Sequence, residues 1–128
     1  MTGHIAAMYN LAIMYNKGQG VAADAAQGVA WYTKAAEQGH AGAQNNLAMC
    51  YEQGNGVAID LTQAITYYTR AADQGHAGAQ NNLAMCYHDG VGVAVDEDKA
   101  IDLYTKAARQ GHTGAISELE ANNITWDT

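Results

Sequence analysis

The sequence contains no proline and no phenylalanine, and few β-branched residues cluster together. Because Ala and Gly are abundant instead, this composition favours helices with small residues at close contacts. Positive charge is also scarce, with six Lys and Arg against thirteen Asp and Glu, for a net charge of −7. This balance argues against nucleic acid or an anionic membrane as partner, since both attract basic stripes. No apolar run approaches the roughly 20 residues of a membrane span.

What the sequence has is a repeat. The fourteen residues QGHAGAQNNLAMCY occupy positions 38–51 and occur again at 74–87. A period of 36 residues runs through the chain and predicts one repeat domain over 1–128, with units 4–39, 40–75 and 76–111 and a half-unit 112–128. The phased positions include His4, His40, His76 and His112, the pairs Gly20-Val21, Gly56-Val57 and Gly92-Val93, and Asp24, Asp60 and Asp96.

Each unit is predicted to form two helices joined by a glycine turn. In the second unit Ala43, Leu47 and Tyr51 share one helical face, and Gly54 is expected to end that helix. Asp60 is predicted to cap the second helix. The stripe expected to be buried on that helix comprises Ala64, Ile65, Tyr68, Ala71 and Ala72. One hairpin cannot bury its apolar face alone, so we predict an all-α fold, an α-solenoid of antiparallel helix-turn-helix repeats.

The two cysteines occupy the same position of two identical segments. If those segments stack, Cys50 and Cys86 lie one helix-packing distance apart, roughly 8–10 Å. A disulfide requires Cα atoms closer than about 7 Å, so we expect two thiols. Thiols, and the lack of a signal-peptide pattern in MTGHIAAMYN, favour a cytoplasmic location over a secreted one.

The segment NNLAMCYEQGNGVAIDLTQAITYYTRAADQGHAGA resembles the Sel-one-like repeat, a relative of the tetratricopeptide repeat. The resemblance covers residues 4–121, and it implies a right-handed superhelix of hairpins that acts as an adaptor between proteins. Most members are not enzymes. Some cysteine-rich bacterial members are linked to β-lactam or cell-wall-fragment binding, but they carry two cysteines per repeat. The family pattern matches Ala43, Leu47, Ala48, Tyr51, Gly54, Gly56, Val57, Asp60, Ala64, Tyr67, Tyr68, Ala71, Ala72 and Gly75.

The two ends differ from the interior repeats. Residues 113–122 are predicted to form a capping helix, because Glu120 and Asn123 replace the apolar Ala48 and Tyr51. At the other end Met8 and nearby apolar side chains have no polar cap before them. This pattern indicates either a piece of a longer array or an end-to-end contact between copies.

No catalytic residue, metal site or cofactor is predicted. The phased histidines cannot share one zinc ion, because ligands must lie about 2.0–2.3 Å from the metal while repeats are roughly 8–10 Å apart. We expect His40 and His76 at the exposed turn before each first helix. The acidic run Asp96-Glu97-Asp98 is interpreted as a helix start, where negative charge suits the macrodipole.

A binding groove is predicted on the first helices, beside the buried stripe. In the related tetratricopeptide fold this face lines the concave surface. Amides can both donate to and accept from a peptide backbone, methionine adapts to varied shapes, and acidic residues favour a basic partner. The predicted groove residues are Tyr9, Ile13, Asn16, Asn45, Met49, Glu52, Asn81, Met85, His88 and Asp89.

The function predicted first is therefore a non-enzymatic scaffold that binds a peptide or protein segment in this groove. The alternative is a small-ligand or cell-wall-fragment binder with weak hydrolysis at most, which would need a closed pocket with convergent polar groups. A third hypothesis is a structural spacer within a longer array, for which the Asn residues are solvated and the Met residues only pack.

Overall fold

The computed structural model describes residues 2–18 and 23–127. In those ranges it contains helices and no strands, and none of the helices is long and apolar enough to cross a membrane. Gly20 and Val21, predicted in the first turn, lie outside the described residues. The helices are α1 (Thr2–Lys17), α2 (Ala25–Glu37), α3 (Ala41–Gln53), α4 (Leu61–Asp73), α5 (Ala77–Asp89), α6 (Glu97–Arg109) and α7 (Thr113–Ala121).

The turn within each repeat is closed by glycine and aspartate, as predicted. Gly54 ends α3 in the left-handed region, at φ 73°. The Asp60 carboxylate accepts from the backbone N–H of Gln63 at 3.1 Å, which satisfies a donor that the start of α4 would leave unpaired. The backbone N–H of Asp60 also donates to the Tyr51 carbonyl at 3.0 Å and holds the two helix ends together. The same contacts recur at Asp24 and Asp96.

The turn between repeats is built from three residues, Gln-Gly-His. At Gly39, φ is 90°, and its N–H and that of His40 donate to carbonyls in the last turn of α2. This pattern is a Schellman motif. The His40 ring then accepts from the backbone N–H of Ala43 through Nδ1 at 2.9 Å and caps α3. His76 and His112 make the same bond, so these three phased histidines are helix caps, whereas His4 lies within α1.

The chain divides into two compact units, Met1–Tyr67 and Tyr68–Thr128. In the first unit α1 packs against α2 and α2 against α3; in the second α5 packs against α6 and α6 against α7. Gly28 allows α1 and α2 to lie close together, since a Cβ there would lie 3.3 Å from the Ala12 carbonyl oxygen and from the backbone nitrogen of Asn16. The predicted stripe of α4 is buried except for Ile65, which is partly exposed, while Tyr67 is buried as well.

Candidate binding site

One kind of hollow occurs in both units, at the end of a first helix. In the first unit it has a volume of about 220 Å³ and one charged lining residue, Lys17, among several side-chain amides. We call it the amide hollow. Its lining residues are Asn16, Lys17, Tyr32, Asn46, Met49, Cys50, Gln53 and Asn55.

The hollow of the second unit is larger and negatively charged. It has a volume of about 380 Å³, and a smaller cavity of about 60 Å³ adjoins it and shares His88, Tyr104 and Glu118. We call it the acidic hollow, because it has two carboxylates, Asp89 and Glu118, and neither Lys nor Arg in its lining. Its lining residues are Asn81, Met85, His88, Asp89, Tyr104, Gly114 and Glu118.

The two hollows occupy equivalent places in the repeat. A second-helix tyrosine forms one wall of each, Tyr32 or Tyr104, two periods apart. The other walls come from the end of the preceding first helix and from the following first helix. Their chemistry differs at the paired positions Asn16 and His88, Lys17 and Asp89, and Asn46 and Glu118.

Two asparagines of the amide hollow have opposite hydrogen-bonding states. Asn46 donates through Nδ2 to the hydroxyls of Tyr9 and Tyr32, both at 3.3 Å. Burial raises the pKa of Tyr32, and this hydrogen bond opposes the rise. The Nδ2 atom of Asn16 is also buried, but it has no hydrogen-bond partner among the described residues. The hollow therefore contains one amide whose donor is still available.

In the acidic hollow the available group is a hydroxyl. Tyr104 is only 5% exposed, and no described residue hydrogen-bonds to its oxygen. Burial, followed by the negative charges of Glu118, Asp89 and Glu97, raises its pKa to about 12. His88 bonds to Glu97, with 2.7 Å between Nδ1 and Oε1, and its Nε2 lies 4.0 Å from Asp89.

The structure places six of the predicted groove residues in these hollows. Asn16 and Met49 line the amide hollow, and Asn81, Met85, His88 and Asp89 line the acidic hollow. The predicted residues that line neither hollow are Tyr9, Ile13, Asn45 and Glu52.

Two of these four have contacts that explain their position. Asn45 is 8% exposed and its Nδ2 lies 3.8 Å from the Met49 sulfur. Tyr9 stacks on His40 with the ring centroids 4.4 Å apart.

The lining residues that the sequence did not indicate come mainly from other elements. Tyr32 and Tyr104 lie on second helices, and Glu118 lies on the capping helix. Asn46 is one position beyond the predicted Asn45. The available signal was the repeat itself, because four pairs of residues at the same phase, 16/88, 17/89, 32/104 and 46/118, line both hollows.

The cysteines and the acidic side chains are the other candidates for chemistry. Cys50 and Cys86 are buried thiols, and burial raises the pKa of Cys50, which disfavours the nucleophilic thiolate. Within the described ranges no group of three or more His, Cys, Asp or Glu side chains is arranged to hold a metal ion.

Comparison with known proteins identifies the repeat. The Sel1 repeat model matches residues 5–40, 41–76 and 77–112, each beginning one residue after the predicted unit. The unit boundaries predicted from the sequence stay a prediction. A comparison with curated protein sequences gave no match.

Three solved structures are similar. A protective antigen of uropathogenic Escherichia coli with an SLR fold has 36% identity and a TM-score of 0.88, over 96% of this chain and 27% of that one. A Sel1 repeat protein from Oxalobacter formigenes has 34% identity and a TM-score of 0.86, over 96% and 51%. Cysteine-rich protein B of Helicobacter pylori has 28% identity and a TM-score of 0.68, over 71% and 68%. The chain thus spans about a quarter and about half of the first two, and the predicted all-α repeat solenoid is confirmed.

Proposed function

The chain belongs to the Sel1 repeat family, and on this basis we propose that it is a non-enzymatic scaffold that binds a peptide or protein segment through its first-helix side chains. Proteins of this family typically act as scaffolds for protein–protein interaction. The finer proposal is that the two hollows are the contact points. Tyr9, Ile13, Asn45 and Glu52, also predicted for the groove, line neither hollow.

The observation that carries the proposal is that two nearly identical first helices differ only at their ends, where residues line the hollows. Helices α3 and α5 are identical over their first eleven residues, AGAQNNLAMCY, and differ only in their last two. Those last residues are Glu52 and Gln53 in α3, and His88 and Asp89 in α5. Three of the four line a hollow. Along these two helices the sequence changes only at the last two positions, beside the hollows, and this supports selection of a partner at that surface.

The size of the hollows supports a macromolecular partner over a small ligand. Pockets for drug-sized molecules usually enclose about 300–1,000 Å³. The amide hollow, at about 220 Å³, is smaller than this range, and the acidic hollow, at about 380 Å³, is in its lower part, so each suits one side chain of a larger partner. Exposed Met85 and the neighbouring amides can adapt to such a segment. The net charge of −7 favours a basic one.

The test is affinity capture from the source lysate, followed by reconstitution with the purified partner. Changing Met49 and Met85 to Asp is expected to abolish capture while helicity by circular dichroism is retained. The matched control changes Ile59 and Val95 to Asp, since both are more than 60% exposed and line neither hollow.

Two outcomes would contradict the proposal. Capture by the hollow variant at the level of the unmodified chain would remove the hollows as contact points. Turnover of a β-lactam by the purified chain would support the small-ligand hypothesis instead.

A further inference from the structure

The acidic hollow presents hydrogen-bond acceptors with few donors of its own. The Asp89 and Glu118 carboxylates can only accept, and the Tyr104 oxygen has lone pairs that no described residue uses. At the equivalent place of the first unit, the Tyr32 oxygen accepts from the Asn46 amide. With Glu118 in place of that asparagine, Tyr104 loses the internal donor.

The basic side chains of α5 and α6 have contacts of their own. The Lys99 ammonium lies 5.2 Å from the centroid of the Tyr87 ring. The Lys106 ammonium is 3.2 Å from the Asp102 carboxylate. His88 bonds to Glu97 on one side and stands 4.0 Å from Asp89 on the other. Within the described part of the chain, Glu118 has no ion-pair partner.

Backbone electrostatics favour the same kind of ligand. Asp89 is the last residue of α5, and the carbonyl end of a helix carries a partial negative charge. The walls suit an aliphatic stem, because the Met85 thioether is 46% exposed and the Tyr104 ring lines the hollow beside it. Long basic side chains place an apolar stem against such surfaces and carry the charge at the tip.

We propose that the acidic hollow binds one lysine or arginine side chain of the partner segment, whose ammonium or guanidinium donates to Asp89, Glu118 and the Tyr104 oxygen. The side-chain stem lies between Met85 and the Tyr104 ring. This inference rests on the proposed function, because it names the residue type that the second unit recognises. The amide hollow, with Lys17 at the position of Asp89, does not share this preference.

The test uses small probes and the full chain. N-acetyl-arginine methylamide and N-acetyl-lysine methylamide are titrated against the chain and followed by NMR at the Met85 methyl and the Tyr104 ring. N-acetyl-norleucine methylamide is the uncharged probe of similar shape. The cationic probes are expected to bind at least tenfold more tightly than norleucine, and less tightly at high salt because the charges are screened.

Matched variants separate local charge from net charge. Asp89→Asn with Glu118→Gln is expected to remove the advantage of the cationic probes. Asp98→Asn with Glu120→Gln lowers the net negative charge equally, outside both hollows, and is expected to leave the advantage intact. Equal binding of the norleucine and arginine probes would overturn the inference. So would tighter binding of the cationic probes that persists in the Asp89→Asn, Glu118→Gln chain.

The inference and the proposed function can fail separately. If the captured partner still binds the Asp89→Asn, Glu118→Gln chain but not the Met49→Asp, Met85→Asp chain, the cation site is refuted and the scaffold proposal stands. If the arginine probe binds in the acidic hollow while no partner depends on either hollow, the scaffold proposal fails and the cation site stands.

Discussion

Replacing Asn16 with leucine is expected to stabilise the protein. The side-chain nitrogen of Asn16 is buried without a partner among the described residues, and leaving a buried donor unsatisfied costs about 1–3 kcal/mol. Leucine has a similar branched shape and keeps the Cβ of Asn16. That Cβ packs close to Gly28, since a Cβ built at Gly28 would lie 3.4 Å from it. We therefore expect the free energy of unfolding to rise by about 1–2 kcal/mol, which is a rise of several degrees in Tm at this size.

The control is the same change at the second asparagine of the amide hollow. Asn46→Leu removes two hydrogen bonds and leaves the buried Tyr32 hydroxyl without its donor. Both bonds are long, at 3.3 Å. We therefore expect the free energy of unfolding to fall by about 1–2 kcal/mol, in the lower part of the range of about 1–3 kcal/mol for an unsatisfied buried group. The two substitutions are chemically identical and replace residues that line one hollow, yet their expected effects on the free energy of unfolding have opposite signs.

The assay is urea unfolding followed by circular dichroism, with the slope of the transition compared between variants. A loss of about 1 kcal/mol or more in the Asn16→Leu chain would refute the reasoning, since it would mean that the amide has a structural partner. A change of the same sign in the free energy of unfolding of both variants would refute it as well. Weaker partner capture by the stabilised chain would identify Asn16 as a binding residue retained at a cost to stability.

Three further predictions concern the hydroxyl in the acidic hollow, one glycine and one cap. The folded chain holds the pKa of Tyr104 at about 12, above its ordinary value of 10, so its contribution to stability is complete below pH 10 and lost as pH rises towards 12. Absorbance at 295 nm should show a late-titrating component that is smaller by one tyrosine in Tyr104→Phe. Gly56→Ala should lower the free energy of unfolding, measured in urea, by more than about 2 kcal/mol, because the added Cβ would lie 2.4 Å from a backbone oxygen of α2. Gly39→Ala is the control: nothing lies within 4 Å of a Cβ there, so the free energy of unfolding should fall by about 1 kcal/mol. His40→Ala should lower the free energy of unfolding by about 0.5–2 kcal/mol, since the Ala43 N–H loses its acceptor; an unchanged value would show that the ring does not act as a cap.

The repeat architecture could be predicted because its signals are local and periodic. Gly54 ends α3 and Asp60 caps α4, as their residue types and spacing required. The histidines were placed correctly before the first helices but not recognised as caps. Histidine is not among the usual capping residues, and its role depends on a ring nitrogen that meets the N–H of the third residue on.

The hollows could be predicted only in part, because they form between elements rather than on one helix. Spacing along the first helices predicted Asn16 and Met49 for one face, and both line the amide hollow, but it gave no sign of Tyr32, which comes from the second helix. The neighbouring asparagines show the limit of the method. Adjacent helical residues point about 100° apart, so Asn45 turns towards the interior while Asn46 lines the hollow.

A chain built from nearly identical repeats can distinguish partners only where the identity breaks. The packing residues are constrained, since each first helix meets the same kind of neighbour and tolerates little change of volume. The residues at the helix ends carry no such constraint. At the end of a first helix Lys17 becomes Asp89, and within the following first helix Asn46 becomes Glu118, while the tyrosine wall between them stays the same. The repeat thus places a hollow beside the same tyrosine in each unit, and the replacement of Lys17 by Asp89 and of Asn46 by Glu118 puts carboxylates in the second hollow where the first has an ammonium and an amide.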